Sequence, residues 1–133
     1  MHRDIVHQKV LIAQVYDFNE FKGAIFSTPP DATFQLGYAQ IISEKKLVPH
    51  IHKRVERIIN STSEFIFVVS GKMVIKIYDE YQNYIDAIIL TNNMGLLQFY
   101  GGHAIMIESV TNYFEIKQGP YYGRDFDKYD IKE

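Results

Sequence analysis

The sequence contains no cysteine. This absence excludes a disulfide framework, a thiolate nucleophile, iron–sulfur ligation and zinc sites built on cysteine. Any metal ion would therefore be bound by histidine and carboxylate side chains. A surplus of basic residues is also missing, since fourteen Lys and Arg stand against sixteen Asp and Glu for a net charge of −2. Because nucleic-acid binding needs such a surplus to neutralise phosphates, nucleic acid is not an expected partner.

Long hydrophobic runs are missing as well. No apolar run approaches the roughly 18 residues that a membrane-spanning helix requires. No apolar signal-peptide region follows the polar residues at positions 2–4 either. We therefore expect a cytoplasmic protein that does not enter a membrane. The chain has 133 residues, 47 % of them hydrophobic, which suits one domain with a buried core, and we predict a single domain over residues 1–133.

The spacing of the apolar residues predicts an all-β fold. No long window keeps them at helical spacing, whereas short segments rich in β-branched and aromatic residues recur between turn-forming residues. Short strands at such spacing are typical of a barrel or a two-sheet sandwich. The predicted strands are 10–16, 24–26, 33–42, 46–52, 63–69, 72–78, 87–90, 95–100, 103–108 and 113–118.

One predicted strand is apolar on both of its faces. Residues 65–69 read Phe-Ile-Phe-Val-Val, without the polar alternation of a half-exposed strand. Such a strand is covered on both sides. In an antiparallel barrel the second cover is another layer or another subunit, and this favours a homodimer.

Two histidines stand two positions apart, at His50 and His52. If the segment is extended, both imidazoles project from the same face while Ile51 points away. Neutral imidazole is a common metal ligand, so the pair offers a two-nitrogen chelate. The same pattern also occurs in surface segments that bind no metal, and the pair alone does not decide between these interpretations.

A carboxylate and a third histidine strengthen the metal interpretation. Glu64 begins the most apolar strand, on the same face as Val68, where an unpaired carboxylate would be costly. His103 follows Gly101 and Gly102, and this glycine pair permits a tight turn that aims the imidazole inward. Three histidines and one glutamate at strand ends match a mixed nitrogen and oxygen site for a divalent first-row metal.

These residues resemble the two motifs of the cupin superfamily. The first cupin motif contains His-x-His and then Glu, six further residues and Gly; His50–His52 and Glu64–Gly71 supply its two halves here. The second motif, a glycine-bounded segment that ends in Pro-x-Gly and then His, resembles Gly95–His103. Residues 114–121 also resemble the closing segment of a group of small single-domain cupins.

The chain departs from the usual cupin spacing in both motifs. Residues 53–63 separate His52 from Glu64 where the family has a much shorter gap, and Gly101-Gly102 stand in place of the Pro-x-Gly. Glu56 has the shorter spacing and is the rival carboxylate ligand. We favour Glu64 because a strand and a glycine turn follow it, whereas Glu56 lies among basic residues.

The resemblance implies a jelly-roll β-barrel, also called a double-stranded β-helix, and a homodimer. The barrel core would span about 33–120, with N-terminal strands at 8–32 and a tail at 121–133. It also implies a divalent metal cofactor (Fe, Mn, Ni or Zn) bound inside the barrel by His50, His52, Glu64 and His103.

A metal with four protein ligands keeps open positions for substrate oxygens, which suits hydrolysis, isomerisation or oxygenation. The residues leave open whether the protein is such an enzyme, of metal-dependent isomerase or oxygenase type, acting on a sugar derivative or keto acid. The alternative is a non-catalytic module that binds a small ligand and holds a structural or incidental metal. Glu115 and Lys117, on one face of a late predicted strand, are the candidate catalytic residues, although such charges also occur on half-exposed strands.

Overall fold

The computed structural model describes residues 2–133 and is built from antiparallel strands with one helical turn near the end of the chain. The strands are β1 His2–His7, β2 Val10–Asp17, β3 Ala24–Phe26, β4 Gly37–Ala39, β5 Glu64–Ser70, β6 Met73–Tyr78, β7 Tyr84–Leu90, β8 Met94–Gln98, β9 Gly102–Ile107 and β10 Asn112–Lys117, and the helical turn α1 is Arg124–Asp127.

Two sheets pack face to face around the main core. The larger sheet has the order β1-β2-β8-β5-β10 and the smaller one β7-β6-β9. Alternate residues of each strand point inward, so that Ile66 and Leu96 from the larger sheet meet Ile75 and Ile77 from the smaller one in a single apolar cluster. Each such buried side chain contributes roughly 1.5–3 kcal/mol to folding. Apolar contact between the sheets is therefore the main source of stability.

The hairpin β3-β4 covers the outer face of the larger sheet. Tyr38 packs with Tyr16 and Phe18, and Phe65 packs into the same second cluster. This confirms the expectation that the apolar strand now identified as β5 is covered on both faces over its first half, and the cover comes from the same chain. Val69, at the far end of β5, is exposed.

The two long sides of the sandwich differ. On one side β1 meets β7, where Arg3 and Asp86 form an ion pair at 3.3 Å. On the other side the edge strands β9 and β10 have no further strand beside them among residues 2–133. Ile105 and Ile107 of β9 pair with Ile75 and Met73 of β6, yet they are 37 % and 43 % exposed where their β6 neighbours are fully buried. The sandwich is therefore open along β9, and we call this side the open seam.

The predicted strand at 46–52 is absent, and this part of the sequence-based prediction is wrong. Residues 41–62, which we call the connecting segment, contain no strand or helix and are exposed at every position from 41 to 58. Ile42 and Ile51 are 89 % and 91 % exposed. A strand requires a hydrogen-bonded neighbour, and within residues 2–133 this segment has none.

Other strand predictions are confirmed with small shifts of their ends. The predicted strand at 33–42 shortens to β4, and β1 was not predicted at all because only Ile5 and Val6 of its six residues are apolar. His2 and His7 lie in β1 beside Asp4 and Asp79, at 3.4 and 3.6 Å. The all-β class is confirmed.

Neither a closed barrel nor a membrane-spanning helix is present within residues 2–133. The two sheets remain separate along the open seam. No helix among these residues has the length and hydrophobicity to cross a bilayer. The predicted single domain includes Met1, which lies outside the described residues.

The turn before β9 predicts that Gly101→Ala destabilises the protein by more than about 2 kcal/mol. Gly101 has φ +75°, and an added Cβ would collide with the backbone oxygen of Tyr78. Gly23 has a similar φ of +68° but open space around it. Gly23→Ala should therefore lower the free energy of unfolding by only about 1–2 kcal/mol, the cost of a left-handed backbone conformation. Urea unfolding measures both, and equal losses would contradict the steric argument.

Candidate functional site

A polar cluster lies on the inner face of the sandwich, at the end of the open seam. Glu64 begins β5 and His103 is the second residue of β9, so the two side chains come from different sheets. His103 Nε2 lies 3.6 Å from Glu64 Oε2, and the two side chains are only 25 % and 16 % exposed. The predicted pair of Glu64 and His103 is therefore brought together.

Gln98 fixes the orientation of the His103 ring. The Gln98 amide nitrogen donates to the backbone oxygens of Tyr100 and Gly102 at 2.9 and 3.1 Å. Its amide oxygen therefore faces His103 Nδ1, at 2.8 Å, and accepts that N–H. In the neutral ring the lone pair is then on Nε2, the atom near Glu64.

Burial and a second carboxylate change the charge state of Glu64. Burial, with a hydrogen bond and charge repulsion from Glu115, raises the pKa of Glu64 to about 7, although Lys117 and Lys128 act in the opposite direction. Burial also lowers the pKa of His103 from its usual 6.5, opposed by the charge of Glu115. At neutral pH the neutral imidazole, which is the metal-binding form, is therefore favoured.

Glu115 and Lys117 project toward this cluster, as their shared face on the predicted strand suggested. In the register of β10 against β5, Lys117 lies opposite Glu64 and Glu115 opposite Ile66. Glu115 contacts Glu64, whereas the Lys117 ammonium forms an ion pair with Asp127 at 3.1 Å. Their catalytic role stays a prediction.

The C-terminal residues contribute specific contacts near the site. Asp127 in α1 holds Lys117, and Tyr121 places its ring 4.9 Å from the same ammonium. Further along, Ile131 lies close to Gly102 at the start of β9, and the Glu133 carboxylate accepts a hydrogen bond from the Tyr78 hydroxyl. No motif in the sequence indicated these contacts, because they depend on where the tail folds back.

His50 and His52 lie on the connecting segment. Their rings are in edge contact, with centroids 5.0 Å apart, so both lie on the same side of the chain. Both are exposed, and so is Glu56, the rival carboxylate. Within residues 2–133 no group of three or more histidine and carboxylate side chains is arranged to hold a metal ion. The four-ligand site therefore stays a prediction, of which the structure assembles Glu64 and His103.

Gln98 is the most informative residue beyond the predicted ligands. It is almost fully buried, and it occupies the inner face of β8 that Leu96 shares. A glutamine at an inward position of an apolar strand is a signal that the sequence alone contains. Its partner, however, comes from another sheet and could not be identified from the sequence.

The raised pKa of Glu64 predicts a specific pH dependence of stability. Between its ordinary pKa of 4.5 and about 7 the folded state binds more protons than the unfolded chain, so this carboxyl's contribution to the free energy of unfolding falls as the pH rises. Glu64→Gln removes this pH-dependent decrease. We expect the free energy of unfolding of the variant, relative to that of the wild type, to rise by about 2–3 kcal/mol between pH 4.5 and pH 8. Urea unfolding with EDTA present measures both.

The lowered pKa of His103 has the opposite effect on the free energy of unfolding. Just below pH 6.5 the folded state binds fewer protons than the unfolded chain, so the contribution of His103 rises with pH. The difference between variant and wild type is therefore the quantity to follow. Glu20→Gln is a suitable control because Glu20 is exposed and far along the chain from the cluster. A pH-independent difference for Glu64→Gln would show that this carboxyl is not perturbed.

Comparison with known protein families, with curated proteins and with solved structures finds no match to this chain. The resemblance to the cupin superfamily therefore depends on the sequence motifs alone. Any functional conclusion has to come from the chemistry of the residues around Glu64 and His103.

Proposed function

We propose that the protein binds a divalent first-row metal ion at the end of the open seam, with Glu64 and His103 as two ligands and His50 and His52 as the other two. The observation that carries this proposal is the facing pair of acceptor atoms. Glu64 Oε2 and the unprotonated Nε2 of His103 lie 3.6 Å apart inside a largely buried site. Two acceptors at this distance repel each other unless a proton, a metal ion or a water molecule lies between them.

The donor set fits such an ion. A carboxylate oxygen and imidazole nitrogens suit Fe, Mn, Ni and Zn, and the absence of cysteine disfavours softer metals. Gln98 provides the outer hydrogen bond that metal-binding histidines usually make through their second ring nitrogen. A bound ion of this class supplies Lewis-acid polarisation of a ligand carbonyl or hydroxyl oxygen.

We further propose that the fold is a cupin-type jelly roll of a cytoplasmic homodimer. Two antiparallel sheets facing each other, with Glu64 and His103 on their inner faces, support the proposed fold.

The proposed ligand is a small oxygen-bearing metabolite such as a sugar derivative or keto acid. Glu115, which contacts Glu64, is placed to exchange a proton with a ligand bound there, and Lys117 opposite Glu64 adds positive charge to the same end of the sandwich.

A non-catalytic binding module is the second candidate. The observation in its favour is that Asp127 already holds the Lys117 ammonium at 3.1 Å, which leaves Glu115 as the main group for proton transfer. A thermal-shift screen of sugars and organic acids separates the two functions. Metal-dependent turnover of a hit favours the enzyme, whereas equal binding to EDTA-treated and metal-loaded protein favours the module.

The metal proposal predicts uptake of one divalent ion per chain. Isothermal titration with Mn²⁺, Ni²⁺ and Zn²⁺, checked by elemental analysis after dialysis, should show this stoichiometry. His103→Ala and His50→Ala should each weaken binding by at least about tenfold, because each removes a ligand. His7→Ala, which alters a histidine outside the cluster, is the control. Full uptake by both ligand variants would exclude the proposed site.

Gln98 offers a test of the ring orientation. Gln98→Leu keeps a similar volume but removes the acceptor for His103 Nδ1, and it should lower metal affinity by about 10- to 100-fold. Thermal unfolding in EDTA separates this effect from a loss of folding, and the variant is informative where it melts cooperatively. Unchanged affinity in a folded variant would show that Gln98 does not orient the ligand.

A further inference from the structure

Two unpaired surfaces of this chain complement each other. The first is the connecting segment, residues 41–62, which has no strand or helix and has large apolar side chains in solvent. The exposed ones are Ile41, Ile42, Leu47, Val48, Ile51, Val55 and Ile58. The second is the open seam, where β9 lacks a neighbour on its outer side. An exposed edge strand and a free extended segment are the two halves of a β-sheet pairing.

Net charge also favours contact between the connecting segment and the rest of the chain. The connecting segment carries five basic and two acidic side chains, whereas the remainder of the chain carries nine basic and fourteen acidic ones. The segment is therefore attracted to the body of this protein. Its apolar residues would also cover Ile105 and Ile107, the inward residues of β9 that remain partly exposed.

Both ends of the segment are fixed to the body of their own chain. At the start, the Gln40 N–H donates to the Gly23 oxygen at 2.8 Å. At the end, Ser63 is fully buried, shares a 2.6 Å hydrogen bond with Thr33 and accepts one from the Gln118 N–H at 2.9 Å. With these anchors in place residues 41–58 are all exposed, so the segment does not cover its own seam. A second copy presents the same seam without any anchor having to break.

We propose that the connecting segment of one chain pairs with the β9 edge of a second copy, and that the exchange is reciprocal. A mutual exchange about a twofold axis satisfies both free edges and closes the assembly as a dimer. Because His103 lies at the start of β9, the exchanged strand brings His50 and His52 of one chain beside Glu64 and His103 of the other. The metal centre is then shared between two chains, and this last step rests on the proposed function, while the strand exchange does not.

Cross-linking tests the exchange without any metal, and the absence of native cysteine makes it clean. A Strep-tagged Ile51→Cys chain and an untagged Ile105→Cys chain are unfolded together in urea, refolded in EDTA and treated with a short bis-maleimide. We expect a covalent tagged–untagged pair and a dimer by light scattering. Ile89→Cys, on the exposed opposite edge of the same sheet, replaces Ile105→Cys in the control and should link at least tenfold less.

Two results would overturn the exchange. One is a monomer in which the double variant Ile51→Cys/Ile105→Cys links only within a single chain, since the segment then covers its own seam. The other is a dimer whose links to Ile89 equal those to Ile105, because the segment then does not pair along β9. Either pattern is read by intact-mass spectrometry of the linked products.

Complementation of two defective chains tests the shared metal centre. His50→Ala/His52→Ala and Glu64→Gln/His103→Ala chains should each bind metal at least tenfold more weakly than the wild type. If the strands exchange, a mixed dimer of the two refolded chains has one intact site. That site combines Glu64 and His103 of the first chain with His50 and His52 of the second. No recovery despite the tagged–untagged cross-link would reject the shared metal site and keep the exchange.

Discussion

Apolar contact between the inner faces of the two sheets is the constraint on which the rest of this structure depends. Ile66, Val68 and Leu96 on one side and Met73 and Ile75 on the other are at most 1 % exposed. Because side chains alternate along a strand, this contact fixes the register of every paired strand. It also determines which residues face inward where the apolar layer ends, and these are the residues of the polar cluster.

The polar cluster extends the core with different chemistry. Glu64, Gln98 and His103 occupy inward positions that apolar residues hold elsewhere on the same strands. Burial without compensation would be costly for all three, and two of them are satisfied by a hydrogen bond between Gln98 and His103. Glu64 Oε2 and His103 Nε2 still face each other as two acceptor atoms. This arrangement makes the cluster a candidate binding site. A site that existed only for stability would more simply be filled by leucine or valine.

Much of this arrangement could be predicted from the sequence. The β-branched and aromatic runs identified most strands, and the parity of Glu64 with Val68 was enough to assign that carboxylate to the same face as the core residues of β5. The glycine pair before His103 likewise indicated a turn that aims the ring inward. These predictions succeed because they depend on local chain geometry and on alternation alone.

What could not be predicted depends on contacts between distant parts of the chain. Residues 46–52 have the composition of a strand, but composition does not supply a neighbouring strand, and the segment lies in solvent. The Lys117–Asp127 pair arises because the tail folds back across β10. Likewise, the orientation of His103 depends on Gln98, a residue whose partner is in the opposite sheet.

The way the chain ends has a practical consequence for anyone who handles this protein. Ile131 packs against Gly102, and Glu133 accepts a hydrogen bond from Tyr78 at the far end of β6, the strand beside β9. These contacts hold residues 131–133 against the start of β9, the strand that carries His103. An insertion made directly after Glu133 would disturb these contacts, so an affinity handle is better placed away from residues 131–133.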